Sequence, residues 1–320
     1  MRIVRFSDGT NPKYGLLKDD SSTRIFVLRG DPLFSQIELS GEVHELDDVR
    51  VLSPVIPRSK VVCVGKNYLD HVKEMSDGPQ PTEPIVFIKA NTSVIGPDDP
   101  IVLPTWSEHV DHEGELAVVI KTLAKDVPVS EVDDIIFGYT IANDVTARDV
   151  QRRDGQWTRA KSFDTACPLG PWITVDPELD PDNLLLTTSV DGQVRQSANT
   201  GDMIFPVREL VSFISHSMTL LPGDVILTGT PAGVGPLEPG DRVDVSISGI
   251  GTLSNPVVRR GVRGSEDDSA AGQRGDESVD GVEGSHPFGS RHGRVDTRPL
   301  QVRRTEGDTS IGTYSGPVPQ

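Results

Sequence analysis

The chain has 320 residues, a formal net charge of −17 and 35% apolar residues, enough for one good core and a small second unit. The acidic balance disfavours nucleic acid and anionic lipid as partners, and no stretch reaches the roughly 20 apolar residues of a membrane span. Two cysteines make no disulfide framework, and the N-terminus begins in strand-like sequence without a signal-peptide pattern. We therefore expect a cytoplasmic protein.

The composition of the chain also suggests the salt conditions to which its surface is suited. Lysines and aromatic residues are few and aspartates are many. This composition indicates a halophilic surface, because salt screens the repulsion between like charges. An ordinary acidic cytosolic protein is the alternative.

The first 57 residues contain short runs with strand character, at residues 3–6, 16–17 and 24–28. Pro, Gly, Asp and Asn residues lie between these runs and are typical of tight turns. We therefore predict a small β-rich N-terminal domain over residues 1–57.

Strand-like runs continue through residues 58–258. In chain order they are residues 60–64, 85–89, 116–121, 138–142, 184–190, 225–228 and 243–247. Asp191-Gly192 predicts a hairpin turn after residues 184–190.

Helical signals in this region are fewer. A capping-box pattern begins at Ser130, and residues 145–153 and 206–220 are further helix candidates, the last with Pro206 near its first turn. The whole predicts a second domain over residues 58–258 of α+β class, predominantly β.

Two glutamates, Glu113 and Glu115, precede the apolar run 116–120, and Asp144 follows the run 138–142. Residues i and i+2 of a strand point to the same face, so the glutamates are expected side by side. Such a pair is costly to bury without compensation, and a divalent cation removes that cost. Oxygen ligands favour Mg²⁺ or Mn²⁺, with Ca²⁺ as a third option. An exposed strand face is the alternative for the glutamate pair alone.

A short helical segment after the run 60–64 carries His71 and Glu74, which are neighbours on a helix surface at this spacing. A carboxylate beside an imidazole orients the ring and raises its basicity, as a general base requires. Lys161 adds a cation in a predicted loop. A local surface pair is the alternative for His71, and a structural ion pair is the alternative for Lys161.

Other metal-ligating or nucleophilic side chains are weaker candidates. His109 and His112 are three residues apart, and on a strand they would face opposite sides, which disfavours a shared zinc ion. Cys63, in a predicted strand, is expected to be a core residue. Cys167 precedes a proline without a histidine partner motif, and we expect a structural role.

Five separated motifs together resemble the fumarylacetoacetate hydrolase family. They are Gly65-Lys-Asn-Tyr-x-x-His-x-x-Glu74, Asp111-x-Glu-x-Glu115, Asn143-Asp-x-Thr-Ala-Arg-Asp149, Lys161-Ser-Phe-Asp164 and Thr228-Gly-Thr-Pro-Ala-Gly-Val-Gly235. The resemblance covers residues 61–258 and includes 2-hydroxyhepta-2,4-diene-1,7-dioate isomerase and acylpyruvate hydrolase-like members. Lys66 stands where the family commonly has arginine, so a bidentate contact there becomes a single ammonium contact.

The resemblance implies the mixed β-sandwich roll of this family and a homodimer. It assigns metal binding to Glu113, Glu115 and Asp144. It also assigns catalytic roles to His71 with Glu74.

The remaining roles implied by the resemblance concern the substrate. Lys161 would be catalytic, by placing a positive charge near the chelated oxygen. The implied substrate contacts are Lys66, Tyr68, Gln151 and Thr230, with Thr230 donating a hydrogen bond to the substrate carboxylate. We also expect Arg148 and Asp149 to brace the site as an ion pair.

The implied substrate is a small 2-oxo or 2-hydroxy-dienoic acid from aromatic catabolism. Such an acid can chelate a dication through a carboxylate oxygen and its oxo or enolate oxygen, which stabilises charge at the C2 oxygen. The shared intermediate would be a metal-bound enolate. It would serve C–C hydrolysis of acylpyruvate or fumarylacetoacetate-like diketo acids, or isomerisation of 2-hydroxyhepta-2,4-diene-1,7-dioate. An oxaloacetate decarboxylase or tautomerase is one alternative, and a non-catalytic metal and oxo-acid binding protein is another.

The sequence changes character after residue 258. It contains no lysine there, little aliphatic periodicity and many Gly, Ser, Arg and Asp residues. This composition cannot bury enough apolar area to offset the entropy of ordering. We therefore expect a disordered tail over residues 259–320, without an assigned function and with an interaction tail as the alternative.

Overall fold

The computed structural model describes residues 1–18, 22–75 and 79–259. Strands within these residues are β1 (Arg2–Ser7), β2 (Lys13–Leu17), β3 (Arg24–Leu28), β4 (Leu39–Glu45), β5 (Arg50–Leu52), β6 (Val61–Gly65), β7 (Ile85–Lys89), β8 (Val94–Ile95), β9 (Ile101–Leu103), β10 (Val110–His112), β11 (Gly114–Ile120), β12 (Ile136–Asn143), β13 (Thr146–Ala147), β14 (Cys167–Thr174), β15 (Leu185–Val190), β16 (Gln193–Asn199), β17 (Val225–Leu227), β18 (Gly235–Pro236), β19 (Arg242–Ile247) and β20 (Gly251–Arg259). The predicted tail lies outside the described residues, except for Arg259, which ends β20.

The described α-helices are short. They are α1 (Leu69–Met75), α2 (Val132–Ile135), α3 (Arg148–Asp154), α4 (Thr158–Lys161) and α5 (Val207–Ser217), with 3₁₀ turns at Leu46–Asp48, Asn91–Ser93, Val129–Glu131 and Thr200–Asp202. None of these helices has the length and apolar character needed to cross a membrane.

The strands of the described residues form three sheets. The largest has twelve strands in the order β4-β3-β2-β1-β14-β12-β11-β17-β6-β7, with β5 on β1 and β8 on β14. A five-stranded sheet has the order β16-β15-β19-β20-β9, and a three-stranded sheet has the order β13-β10-β18. The prediction of a predominantly β, α+β fold is confirmed.

Strand β11 lies inside the large sheet and is buried on both faces. Leu116, Val118 and Ile120 join a core cluster with residues of the five-stranded sheet and of α5. Ala117 and Val119 point the other way and join a second cluster with residues of β1, β6 and β14. The run is continuously apolar because neither face meets water.

The N-terminal strands are continuous with the large sheet. β1 pairs antiparallel with β14, with Arg2 opposite Thr174 and Ile3 opposite Ile173. Ile3 is fully buried in the second core cluster. Residues from both predicted domains therefore share one sheet.

All ten predicted strand runs coincide with strands, and the hairpin at Asp191-Gly192 joins β15 to β16, with Val190 opposite Gln193. The sequence did not predict β14, since Pro168, Gly170 and Pro171 read as turn signals there. The irregular register between β12 and β14 accommodates these residues.

One prediction about a helix start is wrong. Ser130 lies in a 3₁₀ turn and caps no helix, because α2 begins after Glu131, which makes no side-chain cap. Pro206 is the N-cap of α5 and directly precedes its first turn, in agreement with its predicted place near that turn. A capping box does form at Asn199 with Asp202, on a 3₁₀ turn that the sequence did not reveal.

Candidate active site

Acidic residues meet where β11 begins and β12 ends. Antiparallel pairing sets Gly114 opposite Asn143, and the Asp144 amide donates to the Glu113 carbonyl oxygen at 2.8 Å. Glu113 lies in the break between β10 and β11, not within a strand as predicted. The buried residues Glu113, Glu115 and Asp144, hereafter the carboxylate triad, nevertheless each offer an oxygen within 4.8 Å of the others.

The donor set of the carboxylate triad fits a hard divalent cation. Three carboxylate oxygens are the ligands that such ions prefer, and an octahedral ion would keep about three positions for water or substrate. A dication would also offset the cost of holding three acidic groups together in a buried place. The triad could therefore hold a metal ion.

The weaker sequence candidates, His109, His112 and the two cysteines, are not members of the carboxylate triad. His112 is buried with Nδ1 3.3 Å from Gln196 Oε1, whereas His109 is half-exposed with Nε2 2.8 Å from Asp111 Oδ1. Both cysteines are buried, and burial raises the pKa of Cys167 to about 12. His109 and His112 thus direct their ring nitrogens to different partners, and Cys167 lies in the second core cluster.

Among the described residues, three buried cations contact the carboxylate triad. Lys161 Nζ donates to Glu113 Oε2 at 2.7 Å and to Asp144 Oδ2 at 2.6 Å. Lys89 Nζ donates to the other Asp144 oxygen at 2.6 Å. Arg148 Nη2 lies 2.5 Å from Glu113 Oε1. Positive charge therefore surrounds Glu113 and Asp144, and Lys89 was not predicted.

Arg148 pairs with Asp111 and not with Asp149, so the predicted brace is wrong. Arg148 Nε donates to Asp111 Oδ2 at 2.7 Å. Asp149 instead accepts from Ser107 Oγ at 2.5 Å and from the Glu108 amide. Because both residues lie in the first turn of α3, successive side chains point about 100° apart, and only Arg148 faces the carboxylates.

The charges of the site separate the protonation states of the two glutamates. Burial alone would raise the pKa of Glu113, but Arg148 and Lys161 outweigh burial and hold that pKa well below its ordinary value. Burial and the charges of Asp144 and Glu113 raise the pKa of Glu115 well above its ordinary value. Without a cation, these surroundings therefore favour the ionised form of Glu113 and the protonated form of Glu115.

His71 and Glu74 make the contact that their spacing predicted. His71 Nδ1 lies 3.1 Å from Glu74 Oε2, and the Gly233 amide donates to the other Glu74 oxygen at 3.0 Å. Burial lowers the pKa of His71 below the ordinary 6.5, against the opposite effects of Glu113 and Glu74. The imidazole is therefore neutral at neutral pH, and a proton on Nδ1 leaves Nε2 as an acceptor.

A cavity of about 170 Å³ joins these groups. Its wall contains Val64, Gly65, Lys66, His71, Glu113, Glu115, Arg148, Gln151, Arg152, Trp157, Lys161 and Thr230. Asp144 is outside this wall, and both of its oxygens accept hydrogen bonds from lysines. Arg152 and Trp157 were not predicted. Arg152 could have been found, since its i+4 spacing from Arg148 places both on one helix face.

Of the predicted substrate contacts, Lys66, Gln151 and Thr230 line the cavity, and Tyr68 does not. Tyr68 is 2% exposed in the main core cluster and pairs by a β-bridge with Met203. It also lines a neighbouring cavity. The backbone turn after β6 therefore directs Lys66 and Tyr68 to different sides.

The Thr230 hydroxyl is engaged within the protein. It donates to the Gly114 carbonyl oxygen at 2.9 Å and accepts from Gln196 Nε2 at 2.7 Å. The predicted donation to a substrate carboxylate does not match this arrangement, because the single hydroxyl proton is already used. Gln196 also accepts from the Gly114 amide at 3.0 Å and donates to the Pro231 carbonyl oxygen at 2.8 Å. Gln196, which was not predicted, thus ties β11 to the loop after β17.

Family comparison establishes the class of this protein. The family described as "Fumarylacetoacetate (FAA) hydrolase C-terminal" matches residues 60–258, and "Rv2993c-like, N-terminal" matches residues 1–54. The chain belongs to the fumarylacetoacetate hydrolase family, whose members are isomerases, hydrolases and tautomerases. The resemblance predicted from five motifs is confirmed.

Individual proteins of known sequence are similar to most of this chain. Protein Rv2993c of Mycobacterium tuberculosis is 56% identical over 233 residues, which are 72% of this chain and 85% of that protein. Human mitochondrial oxaloacetate tautomerase FAHD2A is 47% identical over 221 residues, 66% of this chain and 70% of that protein.

Solved structures share the fold. The structure of 5-carboxymethyl-2-hydroxymuconate delta-isomerase from Mycobacterium smegmatis has 48% identity and a TM-score of 0.75, covering 81% of this chain and 100% of that one. The structure of fumarylpyruvate hydrolase from Pseudomonas aeruginosa, in complex with Mn²⁺ and pyruvate, has 32% identity and a TM-score of 0.61. It covers 66% of this chain and 92% of that one.

Proposed function

We propose that the protein is a divalent-metal-dependent enzyme that moves a proton on a small 2-oxo or 2-hydroxy-dienoic acid, as an isomerase or tautomerase. The observation that carries this proposal is the shared cavity wall, in which neutral His71, held by Glu74, lies together with Glu113 and Glu115 of the triad. A base and a site for a charge-stabilising cation are the two parts that such a proton transfer needs. The names of relatives, an oxaloacetate tautomerase and a delta-isomerase, support the same reaction class.

Glu113, Glu115 and Asp144 would hold the cation, which we propose to be Mg²⁺ or Mn²⁺, and the Mn²⁺ in the fumarylpyruvate hydrolase structure supports this. When bound, the ion would supply positive charge for the C1 carboxylate and C2 oxygen of the substrate. The proton of Glu115 would leave as the ion binds, since a carboxylate ligates in its ionised form.

The protein's own groups account for the proton transfer. In the keto-to-enol direction, the C3–H bond breaks and its electron pair forms the C2=C3 bond, while the π pair of C2=O moves onto oxygen. His71 Nε2 takes the proton and returns it to the oxygen, or to a more distant carbon of a conjugated acid. Glu74 stabilises the imidazolium that forms. Lys161, whose pKa stays raised beside Asp144 and Glu113 despite burial, adds positive charge near the C2 oxygen.

Cavity size and charge favour a small anionic substrate. A volume of about 170 Å³ is below the roughly 300–1,000 Å³ typical of sites for drug-sized ligands. Lys66, Arg148, Arg152 and Lys161 all line it, so its wall is cationic in a protein of net charge −17.

C–C hydrolysis of an acylpyruvate is the second candidate. Its support is the His71–Glu74 contact, because the same dyad can take a proton from water, and the likeness to a fumarylpyruvate hydrolase. Decarboxylation of oxaloacetate would need charge stabilisation but no such base. The homodimer, the cytoplasmic location, the place in aromatic catabolism and the adaptation to high salt stay predictions.

Assays of the purified protein with enol-oxaloacetate, 2-hydroxyhepta-2,4-diene-1,7-dioate and acetylpyruvate would test the function. We expect turnover of the first two with Mg²⁺ or Mn²⁺ and none with a chelator. His71→Ala should lower kcat by about 10²–10⁴-fold, as loss of a general base does, whereas His216→Ala, outside the cavity wall, should not. Turnover of acetylpyruvate alone would favour the hydrolase, and inactivity towards all three acids by metal-loaded protein would contradict the proposal.

A further inference from the structure

Helix α3 contributes a cationic side chain, Arg152, to the cavity wall. The proposed proton transfer does not use this side chain. Arg148, Gln151 and Arg152 are spaced i, i+3 and i+4, so they share one helix face, and all three line the cavity. The next residue, Arg153, points elsewhere and lies 3.5 Å from Asp154 Oδ1 through Nε. The chain therefore offers two adjacent arginines of which one faces the cavity.

The cavity has a buried end and an exposed end. Glu113, Glu115 and Lys161 are buried, with exposed fractions of 3% or less. Arg152 is exposed and Trp157 is half-buried. A substrate with its C1 end at the triad would thus extend towards Arg152.

The charge on Arg152 is not neutralised within the described residues. Arg148 pairs with Asp111, Arg153 with Asp154, and Arg159 with Asp154 at 2.7 Å. The side chain of Arg152 makes no ion pair or hydrogen bond with any described residue. The chain carries 48 acidic residues, yet this guanidinium has no carboxylate partner among the described residues. It is therefore available to an anionic ligand at the cavity mouth.

Trp157 supplies an apolar part of the same cavity wall. Its ring packs edge-on against Phe87, with centroids 5.3 Å apart. A Cβ added at Gly65 would come within 2.6 Å of the Trp157 ring, so glycine there makes room for the indole. The cavity wall therefore includes an aromatic surface that suits the carbon chain of a substrate.

We propose that Arg152 determines specificity by binding the distal carboxylate of the substrate, so that the enzyme prefers diacids to monoacids. The guanidinium fork matches a carboxylate and keeps its charge at every physiological pH. This inference rests on the proposed function for its placement of the C1 end. It adds the chemical class of the other end.

A binding experiment with full-length, Mn²⁺-loaded protein tests this role without turnover. The probes are 2-oxoglutarate and 2-oxopentanoate, five-carbon 2-oxo acids that differ by the terminal carboxylate. Calorimetry should show tighter binding of the diacid by the wild type. Arg152→Gln should weaken diacid binding roughly fivefold, the strength of an exposed ion pair, and leave monoacid binding unchanged. Arg152→Lys should keep part of the preference, and Arg153→Gln should keep all of it.

Salt gives an independent readout, because an ion pair at an exposed cavity end is screened. For the wild type, the ratio of diacid affinity to monoacid affinity should decrease as NaCl is raised. For Arg152→Gln, this ratio should not change with NaCl. Equal binding of both acids by the wild type, or an equal loss for both in Arg152→Gln, would overturn the role of Arg152. Inactivity with an intact diacid preference would instead remove the proposed function and leave this role standing.

Discussion

Lys89 Nζ lies 2.6 Å from Asp144 Oδ1, and neither side chain is more than 1% exposed. Lys89 ends β7, the outer strand of the large sheet, yet its ammonium points inwards to the carboxylate triad. A buried ammonium is stable only with a charged partner. Together with Lys161 on the other oxygen, Lys89 fixes the orientation of Asp144 before any cation binds.

Lys89→Met should therefore destabilise the protein. The change leaves the buried Asp144 with one partner, and breaking a buried pair costs about 3–5 kcal/mol. We expect the lower end, since Lys161 remains. Lys73→Met is the matched control, because it breaks an exposed pair with Asp70 and should cost less than about 1 kcal/mol. Denaturant unfolding followed by circular dichroism measures both, and equal midpoints would contradict a structural role for Lys89.

The parts of the site that could be predicted are pairs of residues that lie close together in the sequence. Glu113 and Glu115 are two residues apart and His71 and Glu74 are three apart, so short-range geometry alone suggests each pair. Ten of the twenty described strands were predictable for the same reason, since apolar runs bounded by turn residues are local patterns. Asp144 could be added through the family motif.

The parts that could not be predicted depend on register between distant strands. Lys89 reaches Asp144 across 55 positions of sequence, and Gln196 reaches Gly114 across 82. No spacing rule connects such residues. The place of Tyr68 likewise depends on the turn after β6, which sends neighbouring side chains of one motif to different sides.

Metal affinity should rise with pH because of Glu115. Burial and the neighbouring carboxylates raise the pKa of Glu115, so the metal-free site holds a proton that the ion must displace. Below that pKa, each pH unit should therefore increase the affinity by up to about tenfold. Mn²⁺ titrations at a series of pH values measure this slope. Glu115→Gln should bind weakly and show a flatter slope, and a wild-type affinity independent of pH would contradict the assignment.

The pH profile of catalysis should show His71. Burial lowers the pKa of His71 below 6.5, and the neutral ring is the active base. The acidic limb of the kcat/KM profile should therefore lie at pH values below 6.5, where the ring gains a proton and activity is lost. Glu74→Gln should move this limb to still lower pH, because the contact with Glu74 raises the pKa of His71. A limb that stays in place in Glu74→Gln would show that another group controls it.

Gln196→Leu should weaken metal binding and turnover although Gln196 lies outside the cavity wall. Its two backbone partners, the Gly114 amide and the Pro231 carbonyl, fix which end of the side chain donates. Leucine keeps the bulk but leaves both backbone groups buried without partners, so the segment carrying Glu113 and Glu115 should shift. Loss of such outer contacts typically costs about 10–100-fold in metal affinity or activity.

The exposed residue Gln193, three positions earlier on β16, supplies the control for this change. Gln193→Leu should leave Mn²⁺ affinity and kcat at wild-type values. Gln196→Glu separates shape from hydrogen bonding, because a carboxylate fills the same space but cannot donate to Pro231 or Thr230. If Gln196→Leu and Gln196→Glu both bind Mn²⁺ as the wild type does, the tie between β11 and the loop after β17 has no part in holding the carboxylates.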